Sequence, residues 1–169
     1  MKKSIVAVCF CFLAAYAAYA EVGDRHVEQA GGYSFQAPRG WQIRELPGMK
    51  YQIAFGPAEN NFSPNINIVD EAYNGSLKTY VDANAQTLER LFVQFKLVKR
   101  HPFETTSGLR GEKAITTSVH QNNALRQTFY FLPGRKGSYF VVTCSTLAAD
   151  GESFDPVFEE SVKTFELIK

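Results

Sequence analysis

The stretch GGYSFQAPRGWQ, residues 31–42, decides how the chain is read. Tyr33, Phe35 and Ala37 alternate with Ser34 and Gln36, the period of two of a half-buried strand. Pro38 suits the second position of a type I turn and Gly40 its fourth. Trp41 and Ile43 then alternate with Gln42 and Arg44, giving strand, turn, strand with a shared apolar face. Trp41 is the only tryptophan in the chain. Its place predicts a mostly buried ring on the side of Tyr33 and Phe35, closing one end of the core beneath a helix.

Downstream the same alternation recurs. Pro47-Gly48 signals a type II turn, and Met49, Tyr51, Ile53 and Phe55 predict one strand over 49–55. The polar loop "AENNFSP" leads to the short strand "NINIV". The period then changes. Leu77, Tyr80, Val81, Asn84, Leu88, Leu91, Phe92 and Phe95 fall on one stripe, predicting a helix of about 20 residues capped by Ser76 and laid across a sheet. "KLVKRHPFETT" reads as a strand whose Pro102 places it at an edge or a bulge. A meander follows, with turns at Ser107-Gly108, Asn122-Asn123 and "PGRKG". Its last two strands are apolar on both faces, as in central strands covered on both sides. Asp155 and Pro156 predict the start of a closing helix carrying Phe158, Val162 and Phe165. Residues 21–30, "EVGDRHVEQA", are polar and predict a poorly anchored segment.

The run GYSFQAPRGW resembles the opening of the PsbP-like superfamily, which includes the DcrB-like exported bacterial proteins. The order of elements is similar over nearly the whole of residues 21–169. The resemblance implies an α+β fold, an antiparallel sheet of about six to seven strands packed between helices in an α/β/α sandwich. It also implies a non-catalytic role with protein partners, and it transfers no catalytic residues.

The first 20 residues form a signal peptide on their pattern. Lys2 and Lys3 precede the apolar run "SIVAVCFCFLAA" and the cleavage site Ala18-Tyr19-Ala20, with Ala15-Tyr16-Ala17 competing. The apolar run is short against the roughly 17–25 residues a spanning helix needs. Cleavage leaves residues 21–169 as a single exported domain, periplasmic or secreted and not integral to the membrane. With Lys2 and Lys3 removed, 16 basic residues face 17 acidic ones, which argues against nucleic acid as a partner. Cys9 and Cys11 leave with the signal, so Cys144 has no partner within the chain. Its run "YFVVTCS" suits a buried core thiol; an intermolecular disulfide or a nucleophile is the alternative.

Little in the sequence carries chemistry. His26, His101 and His120 have no metal-ligand spacing, and neither a nucleophile elbow nor a phosphate loop is present. No cofactor, metal or catalytic residue is expected. Two basic clusters, Lys99-Arg100-His101 and Arg135-Lys136, are the candidate interaction patch for an acidic partner, a lipid head group or an anionic ligand. The expected function is that of an exported binding or accessory protein of the cell envelope, acting on an envelope protein partner. The alternative is a carrier or sensor of a small apolar or anionic ligand, held between the sheet and the long helix. A hydrolase is the third reading.

Overall fold

A computed structural model of the chain describes residues 21–135 and 137–168. Residues 1–20, read above as a signal peptide and carrying Cys9 and Cys11, lie outside the described residues, as do Lys136 and Lys169. Strand β2 (Tyr33–Pro38) is the centre of a small antiparallel sheet, between β1 (Val22–Glu28) and β10 (Glu166–Leu167). The polar segment 21–30 is therefore not loosely anchored, since most of it is β1. An edge strand is held by its partner's backbone, and its outer side faces water, so its composition stays polar. Ser34 at the centre of this sheet is fully buried, and its hydroxyl accepts from Arg25 Nε and donates to Glu166 Oε1.

The turn after β2 sits one residue later than its composition suggests. Trp41 N donates to Pro38 O at 3.1 Å, which makes Pro38 the first residue and Gly40 the third. Gly40 has φ +81°, a conformation the third position of a type II turn demands and glycine supplies. The strand that follows, β3 (Gln42–Arg44), leaves the small sheet altogether. It opens a seven-stranded antiparallel sheet of order β3-β4-β5-β9-β8-β7-β6, so the expected strand–turn–strand pair is split between two sheets.

Strand β4 (Ile53–Phe55) is shorter than the predicted 49–55, because β3 offers only three partners. Strand β5 (Asn65–Ala72) pairs with β9 (Ser138–Leu147) along its whole length. Helix α1 (Leu77–Leu91) carries the chain to the far edge, where β6 (Val93–Glu104) begins. The Ser76 hydroxyl caps α1 by accepting from Thr79 N. The helix has 15 residues instead of about 20, since Phe92 is extended and Gln94 turns left-handed at φ +52°. Only Tyr80 and Val81 of the stripe are buried, and Leu91 is 73% exposed. Pro102 lies on an edge strand, as expected.

Strands β7 (Arg110–His120), β8 (Asn123–Pro133) and β9 form the meander. The β7–β8 turn is Gln121-Asn122, both left-handed, one residue before the predicted pair. Helix α2 (Gly151–Lys163) starts a turn earlier than Asp155, after a 3₁₀ turn over Ala148–Asp150, and keeps Pro156 inside. Asp155 does not cap it but forms a bidentate pair with Arg126 of β8, at 2.6 and 3.2 Å.

The seven-stranded sheet is covered on both faces. On one, α1 sets Tyr80 and Val81 against Ala114, Phe129, Phe131 and Val141. On the other, β2 and α2 bring Tyr33, Phe35, Phe158 and Val162 onto Ile66, Tyr130, Phe140 and Val142. This is the α+β sandwich expected, with a small second sheet added beside α2. Cys144 is fully buried in that second cluster as a free thiol.

Candidate functional site

The basic residues do not form one surface. Arg100 is committed to the fold, bonding Asp82 of α1 at 2.6 Å and pairing with Glu112 of β7. Lys99 is exposed on β6, and His101 lies opposite Lys113 on the same face. Arg135 sits in the β8–β9 turn, with its guanidinium beside Gly32 of the β1–β2 turn. Lys99 registers through Ile115 with Thr128, seven residues before Arg135, or ~23 Å at the rise of a strand. Lys136, the last member of the patch, is outside the described residues.

A different region gathers exposed apolar groups. The small sheet ends at β1 and the large sheet at β3, and two separate cavities open in the cleft between β1 and residues 37–52. At one end a cavity of 480 Å³ lies between Val27, Glu28 and Gln29 of β1 and residues Glu45, Leu46 and Met49–Gln52. At the other, 430 Å³ lies between Val22–Asp24 and the run Ala37–Trp41 with Ile43. Val27, Leu46 and Met49 are all exposed large hydrophobics, and all three line the first cavity. The placement of Leu46 and Met49 follows from the Leu46-Pro47-Gly48-Met49 turn. Met49 N donates to Leu46 O at 3.1 Å and Gly48 has φ +84°, so both apolar side chains flank the tip.

The floor beside Met49 is polar and charged. Tyr51 hydroxyl donates to Asp70 Oδ1 at 2.6 Å, and Lys50 pairs with the same carboxylate. Burial alone would raise the Asp70 carboxyl, but the hydrogen bonds from Lys50 and Tyr51 outweigh it and hold it below the usual range. Tyr33 packs edge-on to Tyr51 at 5.5 Å; its own hydroxyl is buried with no hydrogen-bond partner among the described residues. Burial pushes that phenol far above its ordinary pKa, with Glu28, Tyr51 and Asp70 adding to the effect.

Trp41 forms the corner of the cleft. It is half-buried, with Phe154 at 6.4 Å and Phe158 perpendicular at 6.0 Å, so it does close the core beneath α2. On its other side Pro57, Glu59, Phe62 and Pro64 of the "GPAENNFSPN" loop form a 120 Å³ cavity with it. Sequence reading missed the cleft because β1 looked unstructured and Met49 looked like a core position. The signal that was present is Leu46 and Met49 flanking a Pro-Gly tip.

A second apolar group, Leu91, Val93, Leu97 and Val98, is exposed where α1 meets β6. Two register shifts, together with Lys96, Lys99 and Pro102, mark this as a guarded edge. The α1–sheet contact, where the alternative reading placed a ligand, is filled by Tyr80 and Val81. Burial pushes the Cys144 thiol well up, which is opposite to what a nucleophile needs. His26 is on the small sheet, His101 on the far edge of the large one and His120 at the end of β7. No helix among the described residues is long and apolar enough to cross a membrane.

No family model matches the chain, and no curated protein does either. Solved structures do. The solution structure of cyanobacterial PsbP (CyanoP) from Synechocystis sp. PCC 6803 aligns with TM-score 0.63 at 13% identity, over 96% of this chain and 98% of that one. LpqN, involved in cell envelope biogenesis of Mycobacterium tuberculosis, aligns with TM-score 0.61 at 12% identity, over 81% and 83%. PA94 of Pseudomonas aeruginosa, a protein of unknown function, aligns with TM-score 0.60 at 18% identity, over 83% and 94%. At these identities the likeness speaks for architecture alone, and the architecture this chain has is the PsbP-like fold.

Proposed function

We propose that this chain is an exported, non-catalytic binding protein of the cell envelope that works by docking a protein partner. The observation that carries this reading is the cleft between β1 and β3. It exposes Val27, Leu46 and Met49 together at the mouth of the sandwich, where two sheet edges end. Clustered apolar side chains rimmed by charge are the usual mark of a protein contact surface. The signal-like first 20 residues support export, and LpqN, of similar fold, is a protein of envelope biogenesis. The buried, poorly ionised Cys144 supports a role without covalent chemistry.

The test is photo-crosslinking in the cell of origin, with a photoreactive amino acid placed at Met49, Val98 or Arg135. A discrete protein adduct from Met49, absent from the other two positions, is expected. Adducts from Val98 alone would move the docking surface to β6, and a retained small mass in native mass spectrometry would favour ligand carriage.

A further inference from the structure

We infer that the cleft between β1 and β3 takes an extended peptide segment of its partner, apolar with basic side chains, added in strand form. This rests on the cleft being the docking surface. Three features point to such an occupant. First, one wall is a sheet edge, β1, while the other is the segment from Ala37 to Gln52, to which β3 contributes Ile43. Among the described residues β1 pairs only with β2 and β3 only with β4. Each therefore turns unpaired backbone N–H and C=O groups outward, which an extended chain satisfies by strand addition. β1 runs in regular register from Arg25 to Glu28, ~13 Å, beyond a bulge between Val22 and Arg25, so it guides the four residues of a peptide nearest the first cavity.

Second, side chains of alternate residues in such a peptide meet apolar surface at both ends of the cleft. Val27, Leu46 and Met49 offer it at one end, and Trp41 with Ile43 at the other.

Third, the charge of the lining is one-sided. Asp24, Glu28 and Glu45 line the two cavities and have no ion pair among the described residues. The cations of the same lining, Arg39 and Lys50, are already paired with Glu21 and Asp70. Arg44, next along β3, turns its guanidinium over the Phe55 ring at 4.9 Å. Three uncompensated carboxylates beside apolar walls complement lysine or arginine alternating with aliphatic residues.

Trp41 makes the test direct, because the sole tryptophan of the chain lines the cleft. The purified protein, residues 21–169, is titrated with a seven-residue peptide of alternating lysine and valine, and tryptophan emission is followed. Saturable binding is expected. The triple variant Asp24→Asn, Glu28→Gln, Glu45→Gln should bind at least tenfold more weakly, and salt should weaken binding to the native chain. A peptide N-methylated at alternate amides should bind at least tenfold more weakly to the native protein, a control independent of any variant's folding. Equal binding of a glutamate–valine peptide, a response unchanged by N-methylation, or no saturable response would each overturn the proposal. So would concentration-dependent self-association abolished by the triple variant, since the occupant would then be a second copy of the chain. If the peptide fails while Met49 still crosslinks a partner, only the strand-addition proposal falls. If Met49 crosslinks nothing, the docking reading falls with it.

Discussion

At the scale of single residues, the core contains two polar atoms whose removal should cost nothing. The hydroxyls of Tyr33 and Tyr130 belong to fully buried side chains and find no hydrogen-bond partner among the described residues. A buried hydroxyl without a partner forfeits its hydration, worth about 1–3 kcal/mol. Tyr33→Phe and Tyr130→Phe keep the ring packing, including the Phe103–Tyr130 contact at 4.7 Å, and remove only that cost. Both variants are expected to be neutral or up to ~1 kcal/mol more stable in urea denaturation. A loss above ~1 kcal/mol in either would show that its hydroxyl has a partner that stabilises the fold. The residue scale also shows what a sequence can and cannot carry. Trp41 beneath α2, Ser76 as a cap and Cys144 as a core thiol were legible, because each depends on neighbours a few residues away or on an unmistakable apolar run. The exposure of Met49 was not. A Pro-Gly turn and a strand start share the same alternation, and only the three-residue length of β3 decides between them.

At the scale of elements, α2 is tied to the sheet by a buried cation. Lys113 of β7 has a side chain only 5% exposed, and it donates to Glu159 of α2 at 2.7 Å while facing the Tyr130 ring. Burial alone would raise the Glu159 carboxyl, but hydrogen bonds and charge from Lys113 and Lys163 outweigh it, and its pKa is lowered. A carboxylate depressed on folding contributes stability above its unfolded pKa and loses it as pH falls through the folded value. Glu159→Gln leaves Lys113 buried without a counter-charge. The expected cost at neutral pH is ~2 kcal/mol, less than for a fully enclosed pair because Glu159 is itself a third exposed. The Tm difference between native chain and variant should stay constant down to about pH 5 and shrink below about pH 4, where the native carboxyl also becomes neutral. A difference that persists unchanged to pH 2.5 would mean the ion pair contributes nothing. Element types were largely legible here, while element lengths were not. Helix α1 stops at Leu91 because Gln94 turns left-handed, and nothing in the apolar stripe through Phe95 announces that. Strand β1 was invisible for the complementary reason. It buries little, so it shows no apolar period, and backbone pairing with β2 and the Arg25 bonds to Ser34 and Glu166 hold it.

At the scale of the molecule, the first and last strands of the described residues meet in the small sheet. β1, near residue 22, and β10, near residue 167, flank β2, and Ile168 N donates to Gly32 O at 3.0 Å. No local pattern reveals a strand of two residues, so the closure of this sheet had no sequence signature. The core side of β2 carries Tyr33 and Phe35, which share one cluster with Phe158, Val162 and Phe165 and with the large sheet. Tyr33 stacks on Phe165 at 5.3 Å, immediately before β10. A shared core makes the two sheets one cooperative unit, so the small sheet has no stability of its own to lose first. Deleting residues 166–169 removes the ladder bonds to Ser34 and Tyr33, the Ile168–Gly32 bond and the Arg25–Glu166 pair. About three backbone hydrogen bonds at ~1 kcal/mol each put the expected loss near ~3 kcal/mol. Trp41 emission, which reports the cleft and α2, and far-UV circular dichroism, which reports both sheets, should still trace one coincident transition at a lower urea midpoint. Two separated transitions, or a dichroism change that precedes the Trp41 change, would show that the small sheet melts by itself. The cleft would then be bounded on its β1 side by an independently opening flap, and strand addition there would have to order that flap as well as the incoming peptide.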